Sequence, residues 1–281
     1  MRGDRSVASP QQGTAGCRAF GSLSPMPTVA RLSVTPVKST ALNHPESIEL
    51  GPSGAAGDRD FFFVNPWGKR FSGAAKAPNL LLRAAYDSTG DCLSFTFPDG
   101  RVLSGPAAGD GEALVVDFYG RDVAAHLVGG PWAQELSAFQ GRAVRLARVD
   151  QPGAGTDEQP VTLVSLASVA ELARRGDRES LEAARFRMTL ELDGCTPHEE
   201  DSWNGRTISI GGAELDVGES VPRCVVTTLN PDTGRQDFPT LAVIARYREL
   251  GPEGGIPFGM YAGVRRPGTI CVGDPVELLP V

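Results

Sequence analysis

Histidine is scarce in this 281-residue chain, with only His44, His126 and His198, and no two of them stand at metal-ligand spacing. His126 falls in a predicted strand and reads as structural. His198 lies in Pro197-His198-Glu199-Glu200-Asp201, where a carboxylate-assisted metal site is the sharper reading and a solvated acidic loop the preferred one. The five cysteines (Cys17, Cys92, Cys195, Cys224 and Cys271) are odd in number and contain no CxxC pair. That excludes a zinc ribbon or thioredoxin motif and fits poorly with a secreted disulfide framework. There is no GxSxG, GxxxxGK[ST] or HExxH, so the commonest hydrolase, NTPase and metalloprotease signatures are missing. No apolar run approaches the roughly 18 residues that span a bilayer, so no transmembrane segment is expected. Basic residues are in the minority, 27 Lys+Arg against 34 Asp+Glu for a net charge of −7. A nucleic-acid partner, which would want a basic surface, is therefore not expected.

What the chain does have is turn chemistry. Gly (34) and Pro (22) are abundant, favouring many short strands over long helices. Residues 1–27 carry Arg2, Arg5 and Arg18 with one acid, Asp4, and read as a disordered tail. The tail lacks the apolar core of a secretory signal and the amphipathic period of a transit peptide, and Met26 is a second candidate start. From Val29 onward the pattern alternates apolar and polar, the mark of a half-buried strand. Phe61-Phe-Phe-Val, a turn at Asn65-Pro66-Trp67-Gly68 and Lys69-Arg70-Phe71 read as a hairpin. Further strands are expected near Leu80–Tyr86, Cys92–Phe97, Leu114–Phe118, Asp122–Leu127 and Ala143–Arg148. The Pro/Gly-rich residues 150–160 are the best domain boundary. Beyond them a helix is expected over Ala167–Arg174, capped by Ser165 or Ser168 and stopped by Gly176. A second helix is expected over Glu179–Arg185 and a third over Thr240–Arg248. Strands are expected at Phe186–Leu192, Thr207–Ile210, Ala213–Val217, Val225–Leu229 and Pro275–Leu279, with Gly211-Gly212 a hairpin turn between the second and third. The sum is a β-rich α+β protein of two domains.

Among the cysteines Cys224 stands apart. It opens a predicted strand behind Pro222, which fixes the turn, and next to Arg223. A nearby cation favours the thiolate, the form that ligates metals or attacks electrophiles. The competing reading is a small buried apolar residue, and spacing alone favours that plainer account.

Val221-Pro-Arg-Cys-Val-Val-Thr-Thr-Leu-Asn-Pro-Asp-Thr-Gly234 resembles the signature of molybdenum-cofactor sulfurase C-terminal (MOSC) domain proteins. Within that family it is similar to the group of the mitochondrial amidoxime-reducing component and its bacterial relatives. Other segments match in family order: Thr35-Pro-Val-Lys-Ser39, Gly57-Asp-Arg-Asp-Phe61, Ser165-Leu-Ala-Ser-Val-Ala-Glu-Leu172 and Arg185-Phe-Arg-Met-Thr189. Glu199-Glu-Asp-Ser-Trp203, Pro257-Phe-Gly-Met-Tyr261 and Gly268-Thr-Ile-Cys-Val-Gly-Asp-Pro275 complete the set, so the resemblance spans 28–281. It implies a MOSC N-terminal β-barrel-like domain over 28–150 and a β-barrel MOSC domain with a few helices over 155–281.

The resemblance also implies a site. Cys224 matches the cysteine that ligates the molybdenum of Mo-molybdopterin, a soft thiolate for a soft-ligand centre. Lys38, Ser39, Arg59 and Arg187 match cofactor-holding positions, and their cations and hydroxyls suit a pterin phosphate. Ser165 and Ser168, at a helix N-terminus, would add donors to an anion. The chain departs from the family after the hairpin, where Phe71–Asn79 replaces a T-x-R segment. It departs again where Met188-Thr189 replaces Pro-Asn, leaving the Thr189 hydroxyl in place of an amide. The implied activity is an oxidoreductase reducing N-hydroxylated compounds, amidoximes or hydroxylamines, by oxygen-atom transfer to molybdenum. With no iron–sulfur, flavin or nicotinamide motif in the chain, electrons would come from a separate ferredoxin- or cytochrome-like donor and its reductase. The alternative is a non-redox carrier of the cofactor or of sulfur. Unpaired cysteines fit a reducing compartment, the cytoplasm.

Overall fold

The run Phe61-Phe62-Phe63-Val64 is buried at every position because its two faces enter two different cores. Phe61 and Phe63 pack with Leu82, Phe95, Trp132 and Leu146, whereas Phe62 and Val64 pack with Val116, Phe118 and Val149. Side chains alternate across a strand, so a continuous apolar run belongs where both faces are covered.

A computed structural model describes residues 26–71, 73–251 and 254–280; nearly all of the expected tail, with Cys17, lies outside them. In chain order the elements are β1 (Thr28–Leu32), β2 (Ser47–Gly51), β3 (Gly54–Ala55), β4 (Phe61–Val64), β5 (Arg83–Asp87), β6 (Cys92–Thr96), β7 (Val102–Pro106), β8 (Ala113–Phe118) and β9 (Arg121–Leu127). There follow α1 (Trp132–Gln140), β10 (Arg145–Val149), β11 (Val161–Ser165), α2 (Leu166–Arg175), β12 (Leu190–Asp193), β13 (Thr207–Ile210), β14 (Ala213–Arg223), α3 (Thr240–Ile244), β15 (Ile256–Arg266), β16 (Gly268–Cys271) and β17 (Val276–Leu278). The protein is β-rich α+β, as expected. Among the described residues no helix is long and apolar enough to cross a membrane.

The first body holds the sheet β4-β10-β9-β8 and the meander β5-β6-β7. The second is a seven-stranded sheet in the order β1-β12-β11-β15-β14-β13-β17, antiparallel except where β11 meets β12. Its two edges meet: Thr28 bridges Pro275, the Val29 N–H donates to Asp274 O at 2.9 Å, and the Val276 N–H donates to Pro27 O at 2.7 Å. This nearly closed barrel is filled by Leu32, Leu163, Leu190, Trp203, Ile208, Leu215 and Met260. Strands β2 and β3 pair with β16 and add Ile48 and Leu50 to the same core. The chain therefore starts in the second body, leaves it for β4–β10 and returns. A cut at residue 150 would not separate the two bodies.

The segment expected as a linker is a packed wall. Lys38 Nζ donates to Gly155 O at 2.8 Å, Arg121 Nη2 to Thr156 O at 2.9 Å, and Gly153 N to Asp60 Oδ1 at 3.4 Å. A Cβ on Gly155 would overlap the carbonyl oxygen of Arg59. The close approach of two backbones at this point requires glycine.

Other local expectations fare unevenly. The Gly211-Gly212 turn joins β13 to β14 with Gly211 at φ 54, and α2 runs from a Ser165 cap to Gly176. The strand expected at Val225–Leu229 is instead a single 3-10 turn, Val225–Thr228, and β14 ends at Arg223. Thr227 Oγ1 donates to Cys224 O (3.0 Å) and Thr228 Oγ1 to Val225 O (2.7 Å). Such short-range hydroxyl bonds compete with a strand ladder and override the β-propensity of Val-Val-Thr-Thr. The helix expected over Glu179–Arg185 is likewise only a 3-10 turn, Ala183–Phe186. The strand expected to start at Leu80 starts at Arg83, behind the 3-10 segment Gly73–Leu81.

Candidate active site

Cys224 follows the last residue of β14 and opens the 3-10 turn with extended backbone, φ −116 and ψ 174. Its side chain is exposed. Three contacts fix the chain on either side. The Arg223 guanidinium donates to Phe258 O (2.9 Å) and Phe186 O (3.0 Å). The Thr227 N–H and hydroxyl both donate to Cys224 O, at 3.1 and 3.0 Å. Thr227 O accepts from the buried Arg185 Nη1 at 3.1 Å and from Thr240 Oγ1 at 2.7 Å. The thiol is thus presented from a turn whose Thr227 carbonyl is anchored to two other segments, while the preceding Arg223 side chain reaches β15.

The thiol lines a cavity of about 160 Å³ between the two bodies. Lys38 with Ser39, Arg59, Arg187 with Thr189, and Cys224, four segments far apart in the sequence, all line it. Lys38, Arg59, Arg185, Arg187 and Arg223 bring five cations to the lining against the two acids Asp157 and Glu158. The lining alone is cationic on a chain of net charge −7, but Asp58 pairs with Arg59, and Glu182 and Asp237 pair with Arg185 behind it, so the pull on anionic groups falls mainly to Arg187 and Arg223. Burial, then the neighbouring Arg59, pulls the Arg187 guanidinium down to about 10. Burial does the same to Arg223, also to about 10, so both stay charged at neutral pH. Arg59 pairs with Asp58 and donates to Arg187 O at 3.2 Å, while Arg187 Nη2 reaches Thr40 O at 2.7 Å. Lys38 is only 7 % exposed. Its ammonium bonds Gly155 O, lies 2.6 Å from Asp157 Oδ1 and sits over the Phe118 ring at 5.4 Å. Thr189 shares hydrogen bonds with Thr162, its N–H donating to Thr162 Oγ1 at 3.0 Å.

The backbone around the cavity is unusual. Ser39 (φ 75), Arg59 (φ 58), Tyr119 (φ 58) and Arg187 (φ 56) all hold left-handed conformations and all line it. Non-glycine residues rarely adopt this region, and clusters of them mark sites where surroundings impose the geometry. Backbone bonds hold two of them, Arg59 N to Thr35 O (2.7 Å) and Arg187 N to Ala184 O (3.0 Å).

Ser165 and Ser168 do not join the cavity. Both are fully buried and serve an internal carboxylate. The Ser168 hydroxyl donates to Glu200 Oε1 at 2.7 Å, the Ser165 N–H to the same oxygen at 3.1 Å, and Ser165 Oγ caps α2 by accepting from Ser168 N. The anion these donors meet is thus Glu200 of the Glu-Glu-Asp segment. Burial raises the Glu200 carboxyl above its ordinary range despite these donors. The metal reading of His198 also fails: its Nδ1 faces the Arg248 guanidinium at 2.6 Å, and burial followed by that charge lowers its pKa. No group of three or more His, Cys, Asp or Glu among the described residues could hold a metal. The loop is half-buried rather than solvated.

Residues the sequence reading passed over also line the cavity: Tyr119, Asp157, Glu158, Thr162, Arg185 and Tyr261. No local motif marks them as site residues, although Arg185 and Tyr261 stand inside matched family segments.

The barrel, the N-terminal β body and the cation-ringed thiol together define a MOSC architecture. Residues 26–129 match the model of the MOSC N-terminal beta barrel domain and residues 150–277 that of the MOSC domain. The chain belongs to the MOSC domain family. It is 28% identical over 282 residues to mitochondrial amidoxime-reducing component 1 of Mus musculus, covering 90% of this chain and 82% of the relative. Mitochondrial amidoxime reducing component 2 of Homo sapiens is 27% identical over 281 residues, covering 89% and 82% respectively. The crystal structure of the YUAD protein from Bacillus subtilis superposes with a TM-score of 0.46 at 13% identity, covering 90% of this chain and 95% of that one.

Proposed function

We propose that this protein binds the molybdenum cofactor in the cavity between its two bodies and reduces N-hydroxylated compounds. One observation carries the reading: an exposed thiol and five cations from distant segments of a MOSC-family chain line the same cavity. The donor set fits the group, since a soft thiolate suits molybdenum and Lys, Arg and hydroxyl donors suit a pterin phosphate. Cys224 would ligate the metal. Lys38, Arg59 and Arg187, with Ser39 and Thr189, would hold the pterin and its phosphate. When bound, the cofactor would supply the two-electron chemistry that takes an oxygen atom from an amidoxime or hydroxylamine.

The chain's own residues orient that centre. Arg223 and Arg185 pin the backbone on either side of Cys224, so the thiolate is held rather than searched for. The Lys38 ammonium and the arginines would compensate an anionic cofactor. Electrons would arrive from a separate donor protein, ferredoxin- or cytochrome-like, with its reductase. The four described cysteines are free thiols, which suits a reducing compartment such as the cytoplasm; the relatives above are named as mitochondrial.

The test is benzamidoxime reduction by protein from a host that makes the cofactor, driven by an artificial electron donor. Wild type is expected to turn over and to carry molybdenum; Cys224→Ala is expected to lose both while keeping its fold. Equal turnover by the two proteins would overturn the reading. A Cys224 persulfide in protein devoid of molybdenum would favour the carrier alternative.

A further inference from the structure

Four acids pair with the cations of the cavity wall: Glu182 and Asp237 hold Arg185, Asp58 holds Arg59 and Asp157 holds Lys38, and the last two differ in exposure. Asp58 is bound to Arg59 with its side chain 2 % exposed, so it is fixed in the interior. Asp157 is 47 % exposed while its partner Lys38 is 8 % exposed. Its backbone is held from below, because Arg121 Nη2 donates to the carbonyls of both Thr156 and Asp157. The carboxylate is therefore delivered to Lys38 from a fixed loop, yet its outer face meets solvent. Glu158, the other lining acid, is exposed and forms no ion pair among the described residues. The influence of Asp157 extends past Lys38: its charge also stabilises the cationic forms of Arg187 and Arg223.

We propose that Asp157 sets the affinity of this cavity for its anionic ligand, as an internal counter-ion that the ligand's phosphate group must displace or tolerate. The proposal rests on the reading that the cavity takes a phosphate-bearing cofactor. A phosphate that reaches the Lys38 ammonium meets the Asp157 carboxylate at the same cation. Like charges at that separation repel strongly in partly desolvated surroundings. A small anion with one contact gains too little to overcome this. A ligand with further contacts to Arg59, Arg187 and Cys224 can. Asp157 thereby favours a large, multiply anchored anion over the free phosphate of the cell, a specificity built from a repulsive element.

The experiment is calorimetric titration of the full chain with inorganic phosphate at fixed ionic strength. The proteins are wild type, Asp157→Asn, Asp157→Ser, Glu158→Gln, Lys38→Gln and the double variant Asp157→Asn/Lys38→Gln, each checked for a wild-type circular dichroism spectrum. Asp157→Asn is expected to bind phosphate about tenfold more tightly than wild type, the scale of one close like-charge contact removed. Asp157→Ser, which keeps a hydroxyl but no charge, should do the same if the Asn variant folds poorly. Glu158→Gln should change affinity by about twofold or less, since an exposed unpaired charge is largely screened. In the Lys38→Gln background the Asp157→Asn gain should shrink to the part exerted through the other cations. Binding by Asp157→Asn that is unchanged or weaker, or a gain matched by Glu158→Gln, would overturn the proposal. If Lys38→Gln weakens phosphate binding while Asp157→Asn and Asp157→Ser do not tighten it, the cofactor reading stands and only the counter-ion role falls. If no variant binds phosphate, the anion site itself fails and the proposal with it.

Discussion

Arg185 offers the sharpest test of how the Cys224 turn is held. Its side chain is 0 % exposed, and its guanidinium donates to Glu182 Oε2 (2.7 Å), Thr227 O (3.1 Å) and Asp237 Oδ1 (3.3 Å). Replacement by Met keeps an unbranched side chain of similar length but removes every donor. Removing one partner of a fully buried ion pair costs about 3–5 kcal/mol. Here the acids left behind are partly solvated, with Glu182 47 % and Asp237 30 % exposed. Thr227 O also retains the Thr240 hydroxyl at 2.7 Å. The loss should therefore fall to about 2–3 kcal/mol, the scale of one hydrogen bond to a charged group. For a protein of this size that corresponds to a fall in melting temperature of roughly 5–10 °C. The loosening should be local as well. Backbone amides of Thr227 and Leu229, which bond Cys224 O and Val226 O at 3.1 Å, should exchange hydrogen faster than in wild type, while amides of β14 and β15 should keep their order of protection. Differential scanning calorimetry and hydrogen-exchange mass spectrometry read the two effects separately. An Arg185→Met protein that melts within about 1 °C of wild type, with unaltered exchange over 225–229, would refute the claim that Arg185 anchors the turn.

Other predictions are briefer. Burial and Arg248 lower the His198 pKa below its ordinary value of 6.5. A depressed folded-state pKa means stability present above the unfolded value and lost as pH falls through the folded one. Urea titrations between about pH 7.5 and 5 should show wild type losing more stability on acidification than His198→Asn, which suits the left-handed backbone at φ 61; parallel slopes would count against the assignment. Gly155→Ala forces its Cβ against the Arg59 carbonyl, displacing the wall that accepts from Lys38. It should cost about 1–3 kcal/mol and weaken phosphate binding, and wild-type melting together with wild-type affinity would rule the contact unimportant. Glu200→Gln, at the α2 cap, removes a carboxyl whose pKa burial raises, and such a group's contribution is present below the unfolded value of 4.5 and lost as pH rises through the folded one. The stability difference between wild type and Glu200→Gln should therefore shift in favour of wild type as pH falls, and a shift of opposite sign in denaturation curves would contradict the burial argument.

What the sequence reveals follows the range of the interactions involved. Helix α2 was readable because its cap, Ser165, and its stop, Gly176, are neighbours of the residues they serve. The β13–β14 hairpin was readable from Gly211-Gly212 for the same reason. Helix α1 is marked only at its end, by the left-handed Gly141: Pro131 precedes it without a side-chain cap, and only Trp132 and Leu136 are buried. The cavity was legible only where matched family segments carry it, at Lys38, Ser39, Arg59, Arg187, Thr189 and Cys224. Asp157 was hidden because a Pro/Gly-rich stretch reads as a linker from composition, and only the contacts with Lys38 and Arg121 make it a wall. Ser165 and Ser168 misled because a helix N-terminus attracts anions in general, and in this fold Glu200 supplies the anion from within.

The placement of β1 in the C-terminal barrel bears on how the chain is made. Thr28–Leu32 leaves the ribosome well before its partner strand: Arg31 and Glu191, which meet side by side, are separated by 160 positions. The opposite seam, at Asp274 and Pro275, is translated later still. The entropic cost of joining such distant segments grows slowly with length, but nothing rewards it until both are present. The barrel therefore closes only once Pro275 has been made, while β4–β10 can assemble earlier around their own aromatic core. During that interval β1 waits with Val29 and Leu32 uncovered, which makes the N-terminal segment the natural point of chaperone engagement and the place where a stalled or truncated chain would aggregate.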